Sequence, residues 1–392
     1  MRILYVAPFG LGQKSTVWAR TLPLAQQMAD RGAQAAILIP PWDTPQDAGR
    51  RWQEGSVDLV NVSLSGGLPG ILARMAAHIR RAQPDILHIV KPRAHAGLIQ
   101  WLAWYAGPLL AGGKGGKRPR LFLDVDDWEQ AWSAIGGYGP ITARFLDWQE
   151  RWGLAHAHAI TAASHWLTDH VRSRTPHIPV LYLPNGITPP THSRPAEGGK
   201  SGDGPTSVLL FSRFVEVSPA WMAALWRHLR QLRPDAILLV AGQGLQPGQE
   251  AAFRAALGGA EEPSVRWLGY VAGPELDRLY AQADCAIFPA DQTPLNQAKC
   301  SVRLANTLLR GVPVVASAVG EQAHYAAAGA ARLVPADASP VLFAQAVADL
   351  LADPAARSAL SSQARHRLLT TYDWGKLGDQ LWDFYVSNAK SE

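Results

Sequence analysis

Short runs that are apolar on both faces alternate with helix-like stretches along most of the chain. "RILYVAPF" opens the series, and "AQAAILIPP", "VDLVNVSL", "PDILHIV", "PRLFLDVDD", "HAITAASH" and "PVLYLPNG" continue it. A strand that is apolar on both faces must be covered on both, which is the situation of a parallel sheet flanked by its crossover helices. Residues 15–32 and "GGLPGILARMAAHIRRA" supply such helices, each with one apolar face. The pattern predicts a Rossmann-like domain over residues 1–188.

The stretch "TPPTHSRPAEGGKSGDGPTS" then loses apolar periodicity and reads as a linker, assigned to residues 189–206. A second strand–helix series follows: "SVLLFSRF", "DAILLVAGQG", "SVRWLGYV", "CAIFPA", "VPVVASA" and "AARLVPA". It predicts a second Rossmann-like domain over 207–370, and "TYDWGKLGDQLWDFYVSN" predicts a terminal helix within 371–392. A chain of 392 residues exceeds what one core usually supports. The expected fold class is α/β, with two Rossmann-like domains facing each other across a cleft. Ligands of open α/β sheets bind outside the carboxyl ends of the strands, so chemistry is expected in the loops there.

Composition narrows the ligand class. Thirty-seven Lys and Arg against 32 Asp and Glu leave a formal charge of +5, which favours anionic ligands. No helix-turn-helix, zinc-ligand or RNA-binding pattern accompanies that charge, so nucleic acid is not an expected partner. Two cysteines, Cys285 and Cys300, are too few for a disulfide framework. "MRILYVAPFG" enters a strand at once, without the leader pattern of a secreted chain. The expected location is the cytoplasm, and the basic balance admits peripheral contact with the inner face of a membrane. The run "GGKGGKRPR" (112–120) is the patch that would serve it. The apolar segment 97–113 is interrupted by Gly107-Pro108 and reads as a buried helix rather than a membrane span.

Several strand ends carry polar groups. Gly10 and Gly12 follow the first strand, where a glycine turn opening a helix lets an anion approach, with Lys14 beside them. "HIVKPRAHAG" places Lys91 and His95 after another strand. "LDVDDWE" offers Asp124, Asp126, Asp127 and Glu129, which suit either a divalent metal or a base for a substrate hydroxyl. No other ligand spacing points to a metal, so a substrate-facing carboxylate, Asp127 or Glu129, is expected, with Trp128 placed to stack on a sugar ring. In the second half, Ser212 and Arg213 end a strand, and the planar fork of an arginine suits phosphate oxygens. Gly242 lies in the turn "AGQG".

The segment "DQTPLNQAKCSVRLANTLLRGVPVVAS" (291–317) reads as a helix, a glycine break and a buried strand. Lys299, Arg303 and Asn306 are spaced to share one helical face, with Ser301 adding a hydroxyl. Two cations on one face with no acid on that helix point to an anion, and Glu321 in "SAVGEQAHY" would face the same cleft.

Taken together, "PDILHIVKP", "ITAASHWL", "LYLPNGI", "SRF", "AGQG", "WLGYV", "LYAQADCAIFPA", "LLRGVPVVAS", "VGE" and "YDWGKL" resemble a GT-B fold glycosyltransferase, closest to glycosyltransferase family 4. The resemblance covers essentially the whole chain. It implies transfer of a sugar from a nucleoside-diphosphate sugar to an acceptor hydroxyl, with retention, and with no metal or other cofactor. The donor would lie mainly on the second domain. The first would take a glycan, lipid-linked or protein acceptor, and the last helix would cross back to it. Arg213 matches one of the family's two diphosphate-binding cations, whereas Glu216 stands near the place of the usual lysine; Lys299 or Arg303 is the expected replacement. The family's paired glutamates fall at Ala298 and Asn306, and Asp291 or Glu321 would take over from the first. The competing reading is a catalytically silent binder of nucleotide sugars, or a partner subunit of an active transferase.

Overall fold

The doubly apolar runs become the central strands of two sheets, one in each of two units. The computed structural model describes residues 1–12, 16–110, 118–189, 205–259 and 262–389. One unit comprises Met1–Gly186 together with Trp374–Glu392, and the other comprises Ile187–Asp373.

The first unit contains β1 (Arg2–Val6), β2 (Gln34–Ile39), β3 (Arg51–Glu54), β4 (Val57–Asn61), β5 (Ile86–Val90), β6 (Arg120–Val125), β7 (Ala159–Ala162) and β8 (Val180–Tyr182). Their spatial order is β3-β4-β2-β1-β5-β6-β7-β8. All pairings are parallel except β3 on β4. The strand order reverses between β1 and β5, which opens a crevice at their carboxyl ends. All residues of β5 are buried, the four apolar ones as expected of a strand covered on both faces and His88 along with them. The edge strand β3 escapes sequence reading because "RWQE" is mostly polar; its hairpin turns through Gly55 at φ 60°.

The helix expected over 15–32 is two pieces. Val17–Thr21 forms a π turn in which the Leu22 N–H reaches back to the Val17 carbonyl, and Leu22–Asp30 continues as an α-helix. Pro23 has no N–H to continue the ordinary ladder, which accounts for a break there. The irregular turn carries Arg20, which is buried against Asp124 at 2.6 and 2.7 Å and also bonds Asn185 at 3.2 Å.

Next to that pair, His88 shares a hydrogen bond with the Tyr385 hydroxyl, which donates to Tyr5 at 3.1 Å. Burial pushes the His88 imidazole down from 6.5 to about 4. The unfolded chain therefore takes up a proton first, and the contribution is complete above the ordinary value and lost as pH falls from there to the folded one. Between about pH 7 and about pH 4 this one group is expected to remove on the order of 3 kcal/mol. Asp126 and Glu150, both raised to about 7 in the folded first unit, act with the opposite sign over the same range, so the His88 contribution is read as the difference between wild type and His88→Gln in denaturant unfolding across it.

The terminal helix spans Trp374–Ala389, so the expected start at 371 is corrected: Thr371 ends the preceding helix, and Asp373 forms a parallel bridge with Ile187. Trp374, Leu377, Leu381 and Tyr385 enter the core that contains Ile3, Tyr5 and Phe122. Gly186 is required by this packing, since a Cβ there would lie 2.4 Å from the Trp374 ring. The first unit thus ends at Gly186 rather than at 188. Most of the expected linker, residues 190–204, lies outside the described residues.

The second unit contains β9 (Ser207–Phe211), β10 (Ile237–Ala241), β11 (Val265–Gly269), β12 (Cys285–Phe288), β13 (Val314–Ser317) and β14 (Arg332–Val334). All pairings are parallel, in the order β11-β10-β9-β12-β13-β14, and the reversal falls between β9 and β12. Among the described residues no helix is long and apolar enough to cross a membrane.

Candidate functional site

In the second unit the loop after β9 is built around Glu216. Its carboxylate accepts from the Ser212 hydroxyl at 2.7 Å and from the Arg213 and Val215 N–H groups at 3.2 Å. The bend requires Phe214 at φ 62°, an unusual conformation for a large side chain. Gly242 makes the neighbouring loop possible: its φ is 125°, and a Cβ would lie 1.9 Å from the Ser212 carbonyl oxygen. Gly242 therefore serves loop-to-loop contact.

The segment at 291–317 departs from expectation. Lys299, Arg303 and Asn306 do not lie on one helix. Pro294–Ala298 and Val302–Leu309 are separate helices, and Lys299 between them is extended at ψ 134°. Ser301 explains the break, because its hydroxyl caps the second helix by accepting the Leu304 N–H at 3.3 Å. Serine favours a cap over a mid-helix position, so the spacing of 299, 303 and 306 does not become a shared face. Lys299 and Arg303 nevertheless converge, on Glu216, at 2.9 and 3.0 Å from its Oε1. The acid missing from the helix is supplied by the loop after β9. Burial by itself would push the Glu216 carboxyl up; Lys299 and Arg303 outweigh it and hold the group well below the usual range. These three side chains, Ser212 and Ser301 line one pocket beside Pro289 and Ala290 at the end of β12.

Asn306 is half-buried on the second helix, and Ala298 is fully buried. Glu321, expected to face a ligand, is instead 1% exposed in the first turn of the helix Gly320–Ala326. Burial, together with the nearby Glu321, pushes the Tyr372 phenol up to about 12.

In the first unit the polar constellation sits at the ends of β5 and β6. Lys91 adopts φ 61° immediately after β5, and strained backbone of this kind is retained where surrounding contacts over-determine it. Its ammonium lies 2.9 Å from each of Asp126, Asp127 and Glu129. One oxygen from each of these carboxylates lies within 4.8 Å of the others, a spacing that suits a cation, and Lys91 supplies that charge. Burial would lower the Lys91 ammonium, but the three carboxylates override it and hold it well above its ordinary value.

Glu129 also pairs with Arg93. It is buried, and although burial would raise it, the two cations hold it below the usual range. The expectation that Glu129 faces a substrate is therefore corrected: its oxygens are engaged by Lys91 and Arg93 inside the protein. Asp127 is the most exposed carboxylate of the set. Asp126 is pushed up to about 7 by burial against the pull of Lys91. Glu150, which sequence reading missed, is raised to about 7 by burial and by Glu129, and accepts the Gln130 N–H at 2.8 Å. Its position inside the helix Pro140–Ala155 looks like an ordinary surface glutamate in sequence.

The remaining expected residues divide. Trp128 packs its ring against Trp166 and His170, with centroids 5.2 and 5.7 Å away. His95 is half-buried, and burial lowers its imidazole. The Gly10 N–H is taken by Asp43 at 2.5 Å, and Gly12 packs near Thr44. Lys14 lies outside the described residues.

Fold and sites together define a doubly wound α/β protein with a polar constellation at the carboxyl ends of strands in each unit. Two family models match the sequence: a "Glycosyl transferase 4-like domain" over residues 15–186 and "Glycosyl transferases group 1" over residues 205–353. The chain belongs to the GT-B, family 4-like glycosyltransferases. Among curated proteins it is similar to glycogen synthase of Mycobacterium tuberculosis, 28% identical over 171 residues; that match covers 44% of this chain and 39% of the relative. The chain thus matches about two-fifths of the length of that relative. Among solved structures, the sucrose-phosphate synthase of Thermosynechococcus elongatus superposes with TM-score 0.71 at 16% identity, covering 99% of this chain and 98% of that one. Anabaena HepE in complex with UDP-glucose gives 0.66 at 15% identity, covering 99% and 100%. At these identities the structural likeness concerns the fold.

Proposed function

We propose that the chain transfers a sugar from a nucleoside-diphosphate sugar to an acceptor hydroxyl. The observation that carries this reading is the convergence of Lys299 and Arg303 on the loop Ser212–Glu216 at the strand-order reversal of the second unit. In that arrangement Lys299, Arg303 and Arg213 hold the diphosphate and stabilise the charge that develops on it as the glycosidic bond breaks. Glu216 is the resident anion of the site. It keeps both cations fixed and gives way to the phosphates as they enter, so it opposes donor binding while preorganising the site. The acceptor belongs to the first unit, where Asp127, held by Lys91, is the carboxylate best placed to meet a hydroxyl; glycan, lipid-linked and protein hydroxyls are the classes to test. Transfer with retention and without a metal follows the family pattern.

The second reading, a silent nucleotide-sugar binder, is favoured by Ala298 and Asn306 at the positions of the family's two glutamates. The deciding experiment measures hydrolysis and transfer with UDP-, GDP- and ADP-sugars, starting with UDP-glucose because it is bound in HepE. Binding without turnover on any donor and acceptor would select the silent reading. Glu216→Gln keeps the shape and removes the charge, so it is expected to tighten nucleoside-diphosphate binding by roughly tenfold, about 1.4 kcal/mol. Weaker binding in that variant, measured by calorimetry, would reject the resident-anion role.

A further inference from the structure

The helix Pro140–Ala155 presents an apolar stripe that the described residues leave uncovered. Ile141, Phe145, Trp148 and Trp152 follow one another at i, i+4, i+7 and i+11, so they share a face. Ile141 is 85% exposed, and Phe145 and Trp148 are also exposed. Their rings form a continuous ladder: Phe145 stacks on Trp148 at 5.8 Å, Trp148 meets Trp152 at 6.2 Å, and Trp152 stacks on His156 at 4.2 Å. The ladder continues onto the neighbouring helix Ala94–Tyr105, where Tyr105 lies 5.9 Å from Trp152 and Trp101 lies 5.3 Å from Tyr105. Tyr105 is 59% exposed. An ordinary helix places such residues against the core, and here the core face is filled by Leu146, Gln149, Glu150, Gly153 and Leu154.

The charges around the stripe select its partner. Arg144 and Arg151 are exposed on the same helix, and Arg118 is exposed beside Gly107, just beyond Tyr105. The helix Ala94–Tyr105 contains no acid. Of the two acids on Pro140–Ala155, Glu150 is buried and Asp147 half-buried. Two copies meeting through this face would set arginine against arginine with no exposed carboxylate between them, which disfavours self-association. Aromatic rings flanked by arginine suit a layer that is apolar inside and anionic at its surface.

We propose that the face formed by Pro140–Ala155 and Ala94–Tyr105 docks the protein on an anionic lipid bilayer, with Ile141, Phe145, Trp148, Trp101 and Tyr105 entering the headgroup boundary and Arg144 and Arg151 meeting lipid phosphates. The proposal locates peripheral membrane contact on a surface of regular structure rather than on the loop 112–120, of which residues 112–117 lie outside the described residues. It is independent of sugar transfer, because docking is measured with no donor present.

The test is co-sedimentation of the full chain with phosphatidylcholine vesicles, with and without phosphatidylglycerol, at low and high salt. Binding is expected only with the anionic lipid and should weaken with salt. Phe145→Ser/Trp148→Ser and Arg144→Glu/Arg151→Glu are each expected to lower the partition coefficient by roughly tenfold or more. Thermal unfolding and nucleotide binding should stay unchanged, since these side chains are exposed and lie outside both polar constellations. Equal binding to neutral vesicles, or undiminished binding by both variants, overturns the proposal. A concentration-dependent dimer that the same substitutions dissolve, seen by light scattering, assigns the face to a second copy and equally overturns it.

Discussion

Lys299→Ala is expected to lower kcat/KM for donor turnover by roughly 10²–10³-fold. The substitution removes one of the two cations paired with the half-buried Glu216 and leaves Arg303 in place. The pocket loses a positive charge, so the diphosphate is repelled by an anion that is no longer balanced. Charge, rather than shape, is the cause, so the double variant Lys299→Ala/Glu216→Gln should recover part of the loss in nucleotide affinity. Residues that share one partner couple strongly, and the shortfall from additivity measures that coupling. Steady-state kinetics and calorimetric titration with a nucleoside diphosphate supply the numbers. Unchanged binding and turnover in Lys299→Ala would remove the anion site from this segment altogether.

Arg20→Ala is expected to destabilise the first unit by about 3–5 kcal/mol, the cost of leaving a buried carboxylate without its cation. Asp124 is 2% exposed, and both its oxygens accept from Arg20, with Thr161 donating to one of them at 2.6 Å. Burial would raise the Asp124 carboxyl, but Arg20 holds it below the usual range in the folded protein. With Arg20 gone the carboxyl must take up a proton or remain charged in an apolar interior. Arg20→Met/Asp124→Leu removes both charges and is expected to restore most of the stability, because well-packed apolar groups often replace a buried pair without loss. Scanning calorimetry resolves the outcome, the first unit being expected to melt before the second in Arg20→Ala. A cost below about 1 kcal/mol would show that the pair is not a principal support of the unit.

Local sequence was enough to read both sheets because buried parallel strands have a local signature, an apolar run bounded by turns. The strand ends were equally legible: Ser212, Arg213, Lys91 and Asp127 all lie where a strand gives way to a loop. Edges and partners were less legible. β3 is polar because its side chains are exposed or only half-buried, and Pro23 and Ser301 interrupt helices that periodicity alone extends through them. Glu129 and Glu321 looked like groups facing a ligand, yet whether a carboxylate faces solvent depends on what folds over it from distant segments.

The α/β class, the two strand–helix series and the chemical character of the loops follow from residues close together in the chain, and they are written in the sequence. The pairings exist only in the folded chain: Glu216 with Lys299 and Arg303, 83 and 87 residues away, and Lys91 with three carboxylates of the next strand end. Electrostatic interaction depends on distance through space and on burial, and neither is a function of separation along the chain. For that reason the cations of 299–303 could be read as a grip for an anion, while the anion already in their grasp could not.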